Sequence, residues 1–253
     1  MATLRDRTLI ITGASSGIGA SLAHECARRG ANLGLLARRT DRLEALAEEL
    51  APTGVNVAWA SADVTDDDGL SQALDQLEAE LGQVDIMVAN AGYNRPEGAS
   101  DFKPGRGLAI YDVNLLGTLR AFDWALPRFL EQGSGQLVGV ASVASFFGLP
   151  GNAAYCGSKA AMRYHMQSLR LTFKRKRIAV TTICPGFVES ELTGKMKGKF
   201  PMPFMWPTAK ATRKIADAIE QRRAEVVFPW QMRLGVGLIT RLPRPVAEKL
   251  IGG

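Results

Sequence analysis

A doubly wound α/β domain, with helices on both faces of a seven-stranded parallel sheet, is the fold the sequence predicts. Three observations predict it. Short apolar, β-rich runs alternate with segments of helical period along nearly the whole chain, the pattern of successive βαβ units. A glycine-rich turn, TGASSGIG at 12–19, closes the first run and opens a helix. No linker, low-complexity tract or internal repeat divides the 253 residues, so one domain over 1–253 is expected rather than two.

The elements follow in order. Strands are predicted at 8–12, 32–37, 56–61, 86–90, 136–142, 179–184 and 225–228, each a short run rich in Val, Ile, Leu or Thr. Helices are predicted at 21–29, at 42–50 with Leu43, Leu46 and Leu50 on one face, and at 67–81 with Leu70, Leu74, Leu77 and Leu81 spaced likewise. Gly30 and Gly82 stand where the first and third of these should stop. The least regular stretch, about 187–209, holds aromatic residues, prolines and Lys195, Lys197 and Lys199, and reads as a lid or substrate loop.

Composition narrows the classes further. With 46% hydrophobic and 22% charged residues the chain has the profile of an ordinary folded globule. No stretch approaches the ~20 apolar residues of a spanning helix, and MATLRDRTLIITG lacks the apolar run of a secretory signal, so a cytoplasmic protein is expected. Cys26, Cys156 and Cys184 are an odd, widely spaced set that reads as buried free thiols. His24 and His165 have no ligand-spaced partner, and no metal is expected. The net charge of +6 is spread along the chain apart from Lys174-Arg175-Lys176-Arg177 and the arginines beyond 221, a pattern that does not call for nucleic acid.

Four features carry chemistry. Gly13, Gly17 and Gly19 in the first turn, with Ser15, Ser16 and Ile18 between them, allow a pyrophosphate to approach a helix amino terminus, although a tight structural turn would use the same residues. The second strand ends in Ala37-Arg38-Arg39, where an acid would hold a ribose 2′-hydroxyl. A guanidinium there suits a 2′-phosphate instead, the plain alternative being exposed loop charge. Tyr155 and Lys159 lie one helical turn apart, so that an ammonium would lower the phenol's pKa toward a range useful for proton transfer. A tyrosine ring simply covered by a lysine is the competing reading of that pair. The fourth feature is the basic, apolar segment at about 230–251, in which Pro243 and Pro245 interrupt any long helix.

The order of the pieces is more informative than any one of them. The glycine turn, Asn90-Ala91-Gly92 after strand four, Asn114 in a helix, Ser142 ending strand five, Tyr155 and Lys159, and Pro185-Gly186 after strand six form one series. This series resembles the short-chain dehydrogenase/reductase family in its compact, non-extended branch, from residue 4 to about 228.

The resemblance implies a Rossmann-type fold with a tetrad of Asn114, Ser142, Tyr155 and Lys159, Ser145 being a less well spaced candidate for the serine. It implies cofactor contacts from Gly13, Ser15, Ser16, Gly17, Ile18, Gly19, Asp63, Val64, Asn90, Ala91, Gly92, Tyr155, Lys159, Pro185, Gly186, Val188 and Ser190. Arg38 and Arg39 in place of an acid imply a preference for NADP(H). Ala89 precedes the NAG segment where the family more often has Asn, and Ser190 replaces the usual threonine while keeping its hydroxyl.

The implied activity is hydride transfer between NADP(H) and a carbonyl or secondary alcohol, a carbonyl reductase or alcohol dehydrogenase reaction. Tyr155 would be the general acid or base, Ser142 the oxygen-binding hydroxyl, Lys159 the ribose ligand and source of positive charge, and Asn114 the support of a water relay. Phe187, Met196, Phe200, Met202, Phe204, Met205 and Trp206 suggest a bulky apolar ketone or aldehyde, unless these side chains pack the segment onto the domain or face a partner subunit. The family often forms homodimers or homotetramers, and burial of 230–251 against a second subunit is favoured over a membrane-surface contact. Two alternatives stand beside the enzyme: an NADPH-binding scaffold or redox sensor with little turnover, and a membrane- or nucleic-acid-associated protein using its basic surface. An extended-branch sugar epimerase or dehydratase is disfavoured by the spacing of the glycine turn.

Overall fold

The computed structural model describes residues 3–98, 100–194 and 202–252. Seven strands, β1 (Thr8–Thr12), β2 (Asn32–Ala37), β3 (Val57–Ser61), β4 (Ile86–Ala89), β5 (Gly135–Val140), β6 (Ile178–Pro185) and β7 (Glu225–Phe228), form one sheet in the order β3-β2-β1-β4-β5-β6-β7. Every pairing is parallel. The fold is the single doubly wound α/β domain that the sequence predicts, and the strands agree with their expected positions to within two residues.

The helices are α1 (Gly17–Arg28), α2 (Thr40–Leu50), α3 (Asp67–Leu81), α4 (Arg106–Tyr111), α5 (Gly117–Glu131), α6 (Ala153–Thr172), α7 (Glu191–Gly194), α8 (Thr208–Glu220), α9 (Trp230–Ile239) and α10 (Arg244–Gly252). Alternate residues of a strand face opposite sides of a sheet. Leu9 and Ile11 of β1 accordingly join Leu22, Leu43, Ile215 and Ile219 on the layer of α1, α2 and α8. Ile10 between them joins Leu74, Leu77, Phe122, Phe129 and Met162 on the layer of α3, α5 and α6. Both faces of the sheet are therefore covered, which is why the strands read as continuous apolar runs.

Arg29, just past α1, clamps the first layer. Its guanidinium pairs with Glu25, Asp217 and Glu220 at 2.7–2.9 Å and so fixes α1 against α8. Strand order reverses between β1 and β4, and in open α/β sheets the crevice at the carboxyl ends of strands at such a reversal is where ligands bind.

Between α4 and α5 the chain makes one π-turn at Asp112–Leu116, with Asn114 at its centre. Single π-turns inside helices recur at functional sites. The three cysteines are buried thiols. Among the described residues no helix is long and apolar enough to cross a membrane.

The segment predicted as an irregular loop at 187–209 is more ordered than expected where it is described. It holds α7 and a bridge between Val188 and Trp206. Trp206 stacks on Phe228 of β7 at 5.4 Å between ring centroids, with Lys210 Nζ 4.4 Å from its ring. This tryptophan is therefore packing, whereas Phe204 is largely exposed. Met196, Phe200 and the three lysines of this stretch lie outside the described residues. At the carboxyl terminus, 230–251 folds as α9 and α10, separated where Pro243 breaks the helix.

Candidate active site

The glycine turn, the NAG segment and the segment after β6 meet at the carboxyl ends of β1 and β4. Thr12 Oγ1 accepts the backbone N–H groups of Asn90 and Ala91, both at 3.1 Å. Asn90 Nδ2 donates back to the carbonyls of Thr12 and Gly13 at 3.0 and 3.3 Å. A Cβ on Gly13 would lie 2.8 Å from Ala91 Cα, and its φ of +68° is one that other residues rarely adopt. A Cβ on Gly19 would lie 2.2 Å from Gly13 O, and one on Gly17 would lie 3.2 Å from Ser190 Cβ. Gly19→Ala is expected to destabilise the fold by about 3 kcal/mol, because backbone rather than a flexible side chain blocks the methyl. Urea unfolding of the variant checks this.

The amino terminus of α1 is free to take an anion. α3 begins conventionally, with Asp66 accepting from Gly69 N and with Asp67 and Asp68 in its first turn. α1 has neither a side-chain cap nor an acid in its first turn. The hydroxyl of Ser16, at the capping position, instead accepts from Arg39 Nη2 at 2.7 Å. The first N–H groups thus keep no side-chain partner among the described residues. A pyrophosphate fits this cradle by its donor chemistry.

Arg38 and Arg39 part company after β2. Arg38, with its side chain 73% exposed, reaches Asp63 Oδ2 at 3.3 Å. Burial pushes the Asp63 carboxyl up, but hydrogen bonds from Thr65 and the nearby Arg38 outweigh it and hold the group below its usual range. Arg39 turns to the glycine turn, with Nε and Nη2 at 3.2 and 3.1 Å from Ser15 Oγ. Val64 packs on α5, where Gly117 leaves room for it.

The four residues of the expected tetrad fall on the same side of the sheet. Ser142 follows β5, and its hydroxyl accepts from Ala144 N at 3.1 Å and hydrogen-bonds the Tyr155 phenol. Ser145, the alternative serine, donates its hydroxyl to Ser142 O at 2.6 Å. Lys159, one turn along α6 from Tyr155, is 3% exposed and donates from Nζ to Val140 O at 2.8 Å. A Cβ on Gly92 would stand 3.6 Å from both Lys159 Nζ and Asn114 Oδ1, so the NAG segment, the lysine and the asparagine converge.

Asn114 uses most of its hydrogen-bonding capacity on protein. Oδ1 accepts from Tyr93 N at 2.7 Å, and Nδ2 donates to Tyr93 O at 2.9 Å and Ser158 Oγ at 3.1 Å. Both amide hydrogens are engaged, and one lone pair of Oδ1 remains for a further donor.

The titration of the pair differs from the sequence expectation. Burial pushes the Tyr155 phenol up, with the Ser142 hydrogen bond pulling it only part of the way back. Burial likewise pushes Lys159 down, to about 8. The expected lowering of Tyr155 is thus reversed, because desolvation disfavours the charged form of each group and periodicity along a helix does not reveal it.

After β6, Ser142 Oγ donates to Pro185 O at 3.5 Å and Gly186 N donates to Phe228 O at 2.6 Å. Val188 is buried, and Ser190 Oγ accepts from Thr193 N at 3.3 Å. Two contributors went unmarked in the sequence. Ser158 sits between Tyr155 and Lys159, and Glu191 follows Ser190. Each neighbours a motif residue, but the partners of each are far away in the chain.

A groove of about 1280 Å³ runs between α6 and α9, walled by Ser145, Phe146, Phe147, Cys156 and Leu234 among others. Ser142, Tyr155 and Lys159 are not among its walls, so it lies beside the site and not over it.

Comparison with known proteins places the chain in a family. Residues 7–199 match the short chain dehydrogenase family. An uncharacterized oxidoreductase of Myxococcus xanthus is 40% identical over 248 residues, covering 98% of this chain and 97% of its own. An uncharacterized oxidoreductase of Mycobacterium tuberculosis is 36% identical over 225 residues, 88% of each chain. Among solved structures, a short chain dehydrogenase/reductase from Burkholderia phymatum in complex with NAD superposes with a TM-score of 0.86 at 20% identity, over 94% of each chain. An alcohol dehydrogenase from Thermococcus sibiricus complexed with 5-hydroxy-NADP gives 0.80 at 26% identity, covering 88% of this chain and 96% of that one. This chain belongs to the short-chain dehydrogenase/reductase family of oxidoreductases, with the Rossmann-type fold of that family.

Proposed function

We propose that the protein is an NADP(H)-dependent oxidoreductase acting on a carbonyl or secondary alcohol, with Tyr155, Ser142, Lys159 and Asn114 as its working residues. The observation that carries the proposal is the pairing of the Ser142 hydroxyl with the Tyr155 phenol, one helical turn from the buried amine of Lys159. When bound, the nicotinamide supplies or accepts the hydride.

The chain's own residues then handle the oxygen and its proton. In reduction the Tyr155 hydroxyl donates a proton to the substrate oxygen, and the raised pKa keeps it protonated and ready to donate at neutral pH. Ser142 donates a hydrogen bond to the same oxygen as negative charge grows there. Lys159 is largely protonated at neutral pH with a pKa of about 8, so its spare N–H groups hold ribose hydroxyls and its charge eases the loss of the tyrosine proton. Asn114 holds the backbone of Tyr93 beside the NAG segment, and its remaining lone pair is available to a water leading from Lys159.

The cradle over α1, with Gly13, Gly17 and Gly19, takes the pyrophosphate, and Asp63-Val64 border the adenine. Arg39, supported by Ser15 and Ser16, is the better placed of the two arginines for a 2′-phosphate, with Arg38 beyond it on Asp63. Pro185, Gly186, Val188 and Ser190 border the nicotinamide. Residues 187–194 and 202–209 form the substrate side, and Phe146 and Phe147 after Ser142 favour a bulky apolar ketone or aldehyde. Trp230, Leu234 and Leu238, spaced four residues apart on α9 and 62–65% exposed, are read as a surface for a second subunit.

Titration with NADPH and NADH, followed by loss of nicotinamide absorbance against a panel of ketones, tests the proposal. Arg39→Ala is expected to weaken 2′,5′-ADP by about 10-fold or more while leaving 5′-AMP within twofold. Tight NADPH binding with no turnover of any carbonyl would favour a scaffold or redox sensor, and no binding of either nucleotide would sink both readings.

A further inference from the structure

We propose that Glu191 sets the cofactor discrimination of this protein, by bridging with its carboxylate Arg42 and Arg39, the second being the arginine that a ribose 2′-phosphate would take. The inference rests on the reading of the adenosine end given above. It concerns a residue beyond the motif, which ends at Ser190.

Glu191 opens α7, directly after the segment packed on Gly17 of the glycine turn. Its Oε2 accepts from Arg39 Nη1 at 3.1 Å, and its Oε1 accepts from Arg42 Nη1 of α2. The other nitrogens of Arg39 are already directed at Ser15 and Ser16. One carboxylate therefore bridges two guanidiniums at the rim of the anion cradle, in the position of a counter-ion. Hydrogen bonds from Arg42 and then Arg39 hold it below the usual carboxylate range, so it is charged at neutral pH.

All three side chains are 38–46% exposed, and ion pairs at that exposure are weak enough to exchange partners. A 2′-phosphate, carrying close to two negative charges at neutral pH, must either displace Glu191 from the arginines or sit beside it. Both routes penalise the phosphorylated nucleotide through like charge or a lost ion pair. A nucleotide with a free 2′-hydroxyl brings no such charge and leaves the bridge undisturbed. Glu191 thereby narrows the advantage that Arg39 gives to the phosphorylated form, and it lets one site accept both cofactors.

The test is calorimetric titration of the full chain with 2′,5′-ADP and with 5′-AMP, in wild type, Glu191→Gln and Arg39→Ala. Glu191→Gln is expected to tighten 2′,5′-ADP by about tenfold and to leave 5′-AMP within twofold. Equal changes for the two probes, or none, overturn the inference, since a merely structural clasp would not tell them apart. If Arg39→Ala removes discrimination while Glu191→Gln changes nothing, only this inference fails. If wild type does not discriminate but Glu191→Gln gains discrimination, the inference stands and the NADP(H) preference of the native protein falls. If neither variant alters the ratio and wild type has no preference, both readings fail.

Discussion

Tyr155→Phe is expected to lower turnover by about 10³-fold while leaving nucleotide binding within a few fold, since a positioned proton donor contributes on this scale. The substitution removes one hydroxyl, which pairs with Ser142, and leaves the ring in its partly buried seat on α6. The fold therefore has little reason to change. Steady-state rates with NADPH and the best carbonyl of the panel, beside a melting curve and an NADPH titration, separate chemistry from binding. A folded Phe variant within tenfold of wild type would remove Tyr155 from the proposed mechanism.

The second large effect runs in two directions at once. Lys159→Met should abolish turnover and yet stabilise the free chain. The lysine is buried with a carbonyl and no carboxylate as its hydrogen-bond acceptor, and burial takes its pKa from 10.5 to about 8. The sign follows from the proton count. Below pH 8 the amine is charged in both the folded and the unfolded chain, and burying that charge costs on the order of 3 kcal/mol. Between pH 8 and 10.5 the unfolded chain keeps the proton that the folded chain has lost, so wild-type stability should rise across that window. Methionine removes the charge and offsets part of the gain by leaving Val140 O without its donor, a loss of about 1 kcal/mol. A higher Tm at pH 7 that falls slightly below wild type by about pH 10.5 is the expected result. A lower Tm with no pH dependence would mean that the amine is better accommodated than its surroundings imply.

What the sequence made legible was local or repetitive. β1 and β2 have the expected ends because strands buried on both faces read as unbroken apolar runs bounded by polar residues or turns. α3 matched as well, because Asp66 marks its start and Gly82 its end. The glycine turn and the Tyr155–Lys159 spacing were visible for the same reason, each lying within one turn of chain. Glu191 was not visible, since its partners Arg39 and Arg42 are 152 and 149 residues away and nothing local marks the meeting. Nor could the sequence tell Arg38 from Arg39, because which of two adjacent arginines faces the turn depends on how the backbone leaves β2. The direction of the Tyr155 shift was misread for a related reason: spacing shows which groups are near, whereas desolvation depends on everything that surrounds them.

The π-turn at Asn114 has a consequence for how the middle of the chain is indexed. One extra residue in a turn advances the helix by about 100°, so the halves before and after it present different phases. Ahead of the turn, Gly107 and Tyr111 meet α6, where Gly157 leaves just enough room for the Tyr111 ring. Beyond it, Ala121, Phe122, Ala125 and Phe129 line the sheet. A helix of uniform pitch could keep one of these two alignments and would turn the other away from its partner. The extra residue works as a phase shifter between two packing interfaces, and Asn114 sits where they join. With all its residues kept but this turn closed to ordinary pitch, every side chain downstream would be chemically unchanged and rotationally wrong.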